Sequence, residues 1–82
     1  MTQVTIRWFA SAREAAGTSE TTLPLGGDTT AASALSHAAD GNDRLQRIIG
    51  VASLLADGAA VTDRHAPLAA RTLDVLPPFA GG

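Results

Sequence analysis

The stretch Thr72-Leu73-Asp74-Val75-Leu76-Pro77-Pro78-Phe79-Ala80-Gly81-Gly82 holds a strand, a stop and a slender end in one continuous run. Residues 72–76 alternate apolar and polar side chains, the period of a half-buried strand. With Leu73 and Val75 turned inward, Asp74 and Leu76 fall on the outer face. Pro77-Pro78 lacks the N–H groups a ladder needs, so the strand ends there, and its fixed φ stiffens the exit from the sheet. Gly81 and Gly82 carry no side chains, so the tail they end can thread a narrow channel. The chain therefore divides into a folded domain over residues 1–78 and a flexible Gly-Gly tail over residues 79–82.

A last strand needs neighbours, and the rest of the chain supplies them. Val4-Thr5-Ile6-Arg7-Trp8-Phe9 alternates and is rich in β-branched and aromatic residues, which predicts a strand with Val4, Ile6 and Trp8 in the core and Phe9 on the opposite face. Residues 10–17 are alanine-rich and close on Gly17, a helical turn with a glycine C-cap. Ser19 to Leu25 reads as an antiparallel strand that Pro24 confines to an edge or a strand end. Asp28 or Thr29 caps a helix running to about Ala39, with Ala31, Leu35 and Ala38 on one side and Gly41 beyond its end. Asn42 or Asp43 caps a further short helix whose Leu45, Ile48 and Ile49 share a face. Val51 to Ala56 is an apolar run of strand length, and Asp57-Gly58 then signals a tight hairpin into Ala59-Ala60-Val61.

The order strand, strand, helix, strand, short strand, strand describes an α+β fold, a β-grasp. Its mixed sheet has about five strands, one main helix packs on one face, and the first and last strands are central neighbours. Phe9 and Leu76 then lie exposed on adjacent strands with Ala60 nearby, an apolar patch of the kind that marks a protein interface. Asp57-Gly58 is read as structural, because a tight hairpin requires positive φ at both positions.

Composition narrows the function classes. At 82 residues the chain is one small domain. It has no cysteine, and its two histidines, His37 and His65, are far apart, so neither disulfides nor a metal site is expected and neither histidine is given a catalytic role. Net charge is −2 and the six basic residues, all arginine, are scattered, which argues against a nucleic-acid or anionic-membrane partner. The N-terminal residues lack the pattern of a signal peptide and no stretch spans a bilayer, so a cytoplasmic protein is expected. No nucleophile motif, phosphate-binding glycine loop or metal set points to an enzyme in its own right.

What remains is the tail. Two consecutive terminal glycines arise by chance in about 0.5% of chains, and here they follow a β-grasp pattern. A carboxylate is inert until activated, so a Gly82 carboxylate delivered on a thin tail implies an ATP-using partner that forms an acyl adenylate. The chain resembles the small subunit of molybdopterin synthase, within the wider family that includes the thiazole-biosynthesis sulfur carrier. Trp8-Phe9-Ala10-x-x-Arg13-Glu14-x-x-Gly17, Asp57-Gly58 and the Leu73 to Gly82 ending carry the resemblance, and Pro-Pro-x-x-Gly-Gly is its most specific part. The family often has Asn at the position of Asp57, and a Gly-Asp turn where this chain reads Ala69-Ala70-Arg71-Thr72.

The resemblance implies a cycle. An E1-like activating enzyme adenylates Gly82 with ATP, a persulfide or rhodanese-type donor converts it to a thiocarboxylate, and the large synthase subunit, which holds the catalytic groups, uses the sulfur for molybdopterin. No cofactor bound to the chain itself is expected. Gly82 is then the reactive group, and Pro77, Pro78, Phe79, Ala80 and Gly81 thread the tail. Phe9, Leu76, Ala60 and Arg13 meet partners, Arg13 because its fork suits a partner carboxylate. Related outcomes are a carrier for thiazole or cysteine biosynthesis, and a protein modifier conjugated through Gly82.

Overall fold

The computed structural model describes residues 2–78. They form five strands and three helices, in the order β1 (Thr2–Trp8), α1 (Ala10–Ala16), β2 (Glu20–Leu25), α2 (Ala31–Ala38), α3 (Asp43–Val51), β3 (Ser53–Ala56), β4 (Ala59–Ala60) and β5 (Thr72–Leu76). The strands make one mixed sheet in the order β2-β1-β5-β3-β4, with β1 and β5 parallel and the other pairs antiparallel. This is the ubiquitin-like β-grasp arrangement expected from the pattern, with β1 and β5 at its centre and Pro24 on an edge strand.

Period-two alternation builds the core. Val4, Ile6 and Trp8 of β1, Leu54 of β3, and Leu73 and Val75 of β5 point to the helical side and are buried, as are Ala31 and Leu35 of α2 and Leu45 and Ile49 of α3. Each fully buried aliphatic side chain of this kind contributes about 1.5–3 kcal/mol relative to exposure. Trp8 is buried without an orphan donor, since its indole N–H donates to Thr21 Oγ1 at 3.0 Å.

Short helices need their ends satisfied. The α1 C-cap is Gly17 at φ 75°, donating its N–H to the Arg13 carbonyl. Thr30 caps α2 in a reciprocal box with Ser33, one or two residues later than Asp28 or Thr29 was expected to do so. Thr29 is engaged elsewhere: its Oγ1 accepts from Gly26 N–H and its carbonyl from Leu68 N–H. Asn42 caps α3 through Leu45 N–H at 3.1 Å, and its side-chain amide also donates to the Ala15 carbonyl of α1 at 2.9 Å.

Two boundaries and the relative lengths of α2 and α3 depart from expectation, while the three helical segments are those expected. Val51, read as the start of a strand, ends α3 and is 68% exposed, and β3 begins at Ser53. The α3 end is stabilised from outside, by Arg64 donating to the Ile49 and Ala52 carbonyls at 2.8 and 2.5 Å. Phe9, read as strand, is the extended N-cap residue of α1. Rather than one main helix with a minor companion, α2 and α3 are of similar length and both bury side chains.

Candidate functional site

The helices cover one face of the sheet, and the alternate residues of the same strands form the other. Register relations order that open face into rows. Thr22, Thr5 and Thr72 lie side by side across β2, β1 and β5. The next row runs Glu20, Arg7, Asp74, Leu55, Ala60 across all five strands. In the row beyond, Leu76 stands opposite Ser53, and Phe9 follows Trp8, the register partner of Val75.

Register thus places Phe9 and Leu76 at the same end of the sheet, where β5 runs out into Pro77 and Pro78. Phe9 is 38% exposed, Leu76 and Pro77 are half-buried, and Pro78 is exposed. Ala60 is exposed on the same face but on the far edge strand, three strands across from β1 and one row away from Phe9. Arg13 is exposed on α1 and borders, with Arg7, Phe9, Ser19 and Glu20, a shallow depression beside the patch. Phe79, Ala80, Gly81 and Gly82, which carry the predicted chemistry, lie outside the described residues.

The junction that presents Phe9 is strained. Ala10, immediately after it, adopts φ 51°, a left-handed conformation that costs a non-glycine residue about 1 kcal/mol. No side chain caps α1 at Phe9. A position suited to Ser, Thr, Asp or Asn is therefore occupied by an aromatic ring on the open face.

Between the threonines and the apolar row sits an ion pair that reading single strands did not reveal. Arg7 Nε donates to Asp74 Oδ1 at 2.6 Å and Arg7 Nη2 to Asp74 Oδ2 at 2.8 Å, a bidentate clamp between the two central strands. The Phe9 ring lies 5.9 Å from the guanidinium carbon. The hydrogen bonds and charge of Asp74, with a smaller contribution from Glu20, raise the Arg7 pKa, so the guanidinium is permanently charged. The available signal was the placement of Arg7 and Asp74 on the outer faces of two strands expected to be neighbours.

Asp57 also does more than shape its turn. It adopts φ 49° and Gly58 φ 84°, as the hairpin requires. Its carboxylate accepts from the N–H groups of Arg71 and Thr72 and from Thr72 Oγ1, at 3.0–3.3 Å. These bonds, the one from Thr72 N–H foremost, hold its pKa below the usual carboxylate value. The turn thus anchors the start of β5.

Among the described residues no group of three or more potential metal ligands occurs, and no helix is long and apolar enough to cross a membrane.

No protein-family model matches the chain, and no curated protein does. Solved structures do. SAMP1 from Haloferax volcanii is 26% identical with a TM-score of 0.77, over 98% of this chain and 99% of that one. Small archaeal modifier protein 1 from Methanosarcina acetivorans is 26% identical with a TM-score of 0.74, over 100% and 98%. A putative molybdopterin converting factor, subunit 1, from Pyrococcus furiosus superposes with a TM-score of 0.79 over 96% and 100%, but at 16% identity it speaks for the fold alone. The class is that of the ubiquitin-like β-grasp proteins. Within it the chain is similar to small archaeal modifiers and to a molybdopterin-converting-factor subunit.

Proposed function

We propose that the chain is a sulfur carrier whose C-terminal Gly82 is adenylated by an E1-like enzyme, converted to a thiocarboxylate, and used as the sulfur source by the large subunit of a molybdopterin synthase. The supporting observation is positional. The central strand β5 ends at Pro77-Pro78 beside the open-face pair Phe9 and Leu76, so a partner docked on that face lies next to the root of the tail. In the chemistry proposed, the Gly82 carboxylate displaces pyrophosphate from ATP and a donor persulfide displaces AMP. A thiol then reduces the acyl disulfide to the thiocarboxylate. The catalytic groups belong to the partners, and the carrier contributes the docking face and the reactive end.

Intact mass spectrometry after incubation with ATP, the activating enzyme of the same organism and a persulfide donor tests this reading. The expected product has one oxygen replaced by sulfur at Gly82, and the same spectrum establishes where the mature chain ends. Deleting Gly82, or extending the chain past it, removes that product without unfolding the domain; full activity of an extended chain would sink the proposal.

A second reading is favoured by the likeness to proteins named as modifiers at 26% identity. Here the activated Gly82 forms an isopeptide bond to a lysine of a target protein. The chain has no lysine of its own, so its side chains offer no amine for chain extension. Gly-Gly remnants on target lysines after proteolysis distinguish this outcome from sulfur delivery.

A further inference from the structure

Building on that docking face, we propose that the Arg7–Asp74 pair selects the partner. It holds one edge of a guanidinium fixed at the centre of the face, for a protein surface that brings an uncharged acceptor, a main-chain carbonyl or side-chain amide, between apolar side chains.

Stability does not explain the pair. The Asp74 side chain is only 9% exposed although it lies on the uncovered face. Burying the Asp74 carboxylate offsets part of the attraction, and replacing buried charge pairs by apolar residues of similar volume is often neutral or stabilising. The same two strands are already joined by Ile6, Trp8, Leu73 and Val75 on the other face.

Geometry shows what the pair offers. Asp74 occupies the Nε and Nη2 side of the guanidinium. Among the described residues nothing accepts from Nη1, and the Arg7 side chain is 45% exposed. The Phe9 ring beside it and the clamp beneath it restrict the plane, so the outward N–H groups are pre-organised rather than mobile. Leu55, Leu76 and Ala60 supply apolar neighbours in the same and adjoining rows.

Charge narrows the acceptor. Asp74 already balances Arg7 and Glu20 faces Arg7 from β2, so the strand row itself carries two negative groups and one positive, while a second guanidinium, that of Arg13, borders the depression from α1. A partner ammonium meets the guanidinium itself. A carbonyl oxygen takes the outward N–H groups without that repulsion, and a partner lacking it leaves them desolvated and unpaired, which is how a polar centre in an apolar face discriminates.

The experiment measures ATP–pyrophosphate exchange by the activating enzyme of the same organism, with this chain as substrate. Replacing both partners, Arg7→Leu with Asp74→Ala, is expected to leave the melting temperature near that of the wild type. It should raise KM about tenfold at unchanged kcat. The ratio of the two KM values should be the same at low and high salt, because an uncharged acceptor is not screened. Should the double variant fail to fold, Arg7→Lys keeps the charge and loses the outward edge, and a similar rise in KM is expected. An unchanged KM in the folded variant overturns the pair's role while leaving the carrier function standing. A KM ratio that shrinks with salt overturns the uncharged acceptor. A wild-type chain that is never adenylated overturns both the inference and the function on which it rests.

Discussion

The two faces of the sheet are made by alternate residues of the same strands, and they have opposite characters. On the helical side β1 and β5 present Val4, Ile6, Trp8, Leu73 and Val75, all buried. On the open side they present Thr5, Arg7, Thr72, Asp74 and Leu76, with Phe9 at the end of the row. One face follows from the need to exclude water and tolerates any well-packed apolar set. The other holds a charged clamp, a ring at an N-cap and a strained Ala10, none of which a stability argument demands. Departures from local rules on one face of an otherwise consistent fold are where function is to be sought.

The largest expected effect separates the faces directly. Ile6→Ala removes a fully buried side chain from the centre of the core and should destabilise the domain by about 2–5 kcal/mol. Thr5→Ala, one residue away on the open face, removes a methyl group and a hydroxyl contact to Thr22 and should cost about 1 kcal/mol or less. Chemical denaturation of both variants measures the contrast, and equal losses would contradict the division between faces.

A smaller effect is expected where the helical layer is pinned down. Thr30→Ala breaks the reciprocal box with Ser33 at the start of α2, at a cost of about 1 kcal/mol. Ser at the same position should restore most of it. A variant as stable as the wild type would show that α2 is held by its apolar face alone.

What could be read from the sequence followed the same division. The helical face was legible because alternation in β1 and β5, Gly17, Asn42 and Asp57-Gly58 are local signals whose meaning does not depend on distant residues. Val51 was misplaced because a short apolar run does not distinguish a helix end from a strand start. The α3 end is held by Arg64, far along the chain. On the open face, Phe9, Leu76 and Ala60 could be placed by period alone. The clamp between Arg7 and Asp74 needed the parallel register of strands at opposite ends of the chain. Thr30 displaced Asp28 and Thr29 as the cap because Thr29 is bound to Gly26 and Leu68.

Asp57 sharpens the comparison at the root of β5, and its effect depends on pH. Its folded pKa lies below the ordinary carboxylate value. The charged form therefore favours the folded state at neutral pH, and that contribution disappears as pH falls through the folded pKa. Asp57→Asn keeps a residue tolerant of positive φ but removes the charge that accepts from Arg71 and Thr72. Its denaturant midpoint should lie modestly below that of the wild type at neutral pH, and the two should converge in acid. A gap that is constant with pH would mean that the charge contributes nothing.

Phe9→Asp is expected to change stability least and function most. The backbone at Phe9 has N-cap geometry, φ −123° and ψ 150°, with no side-chain cap. Aspartate there can accept from an N–H in the first turn of α1, a gain of about 1 kcal/mol. Losing the ring's partial burial costs on the order of 1 kcal/mol, so the net change in denaturation midpoint should be small. On the open face the same substitution removes the ring beside Arg7 and adds a third carboxylate near Asp74 and Glu20. KM in the adenylation assay should therefore rise well beyond any change in stability. A loss of stability comparable to Ile6→Ala would place Phe9 with the core rather than the docking face, and an unchanged KM would remove it from that face altogether.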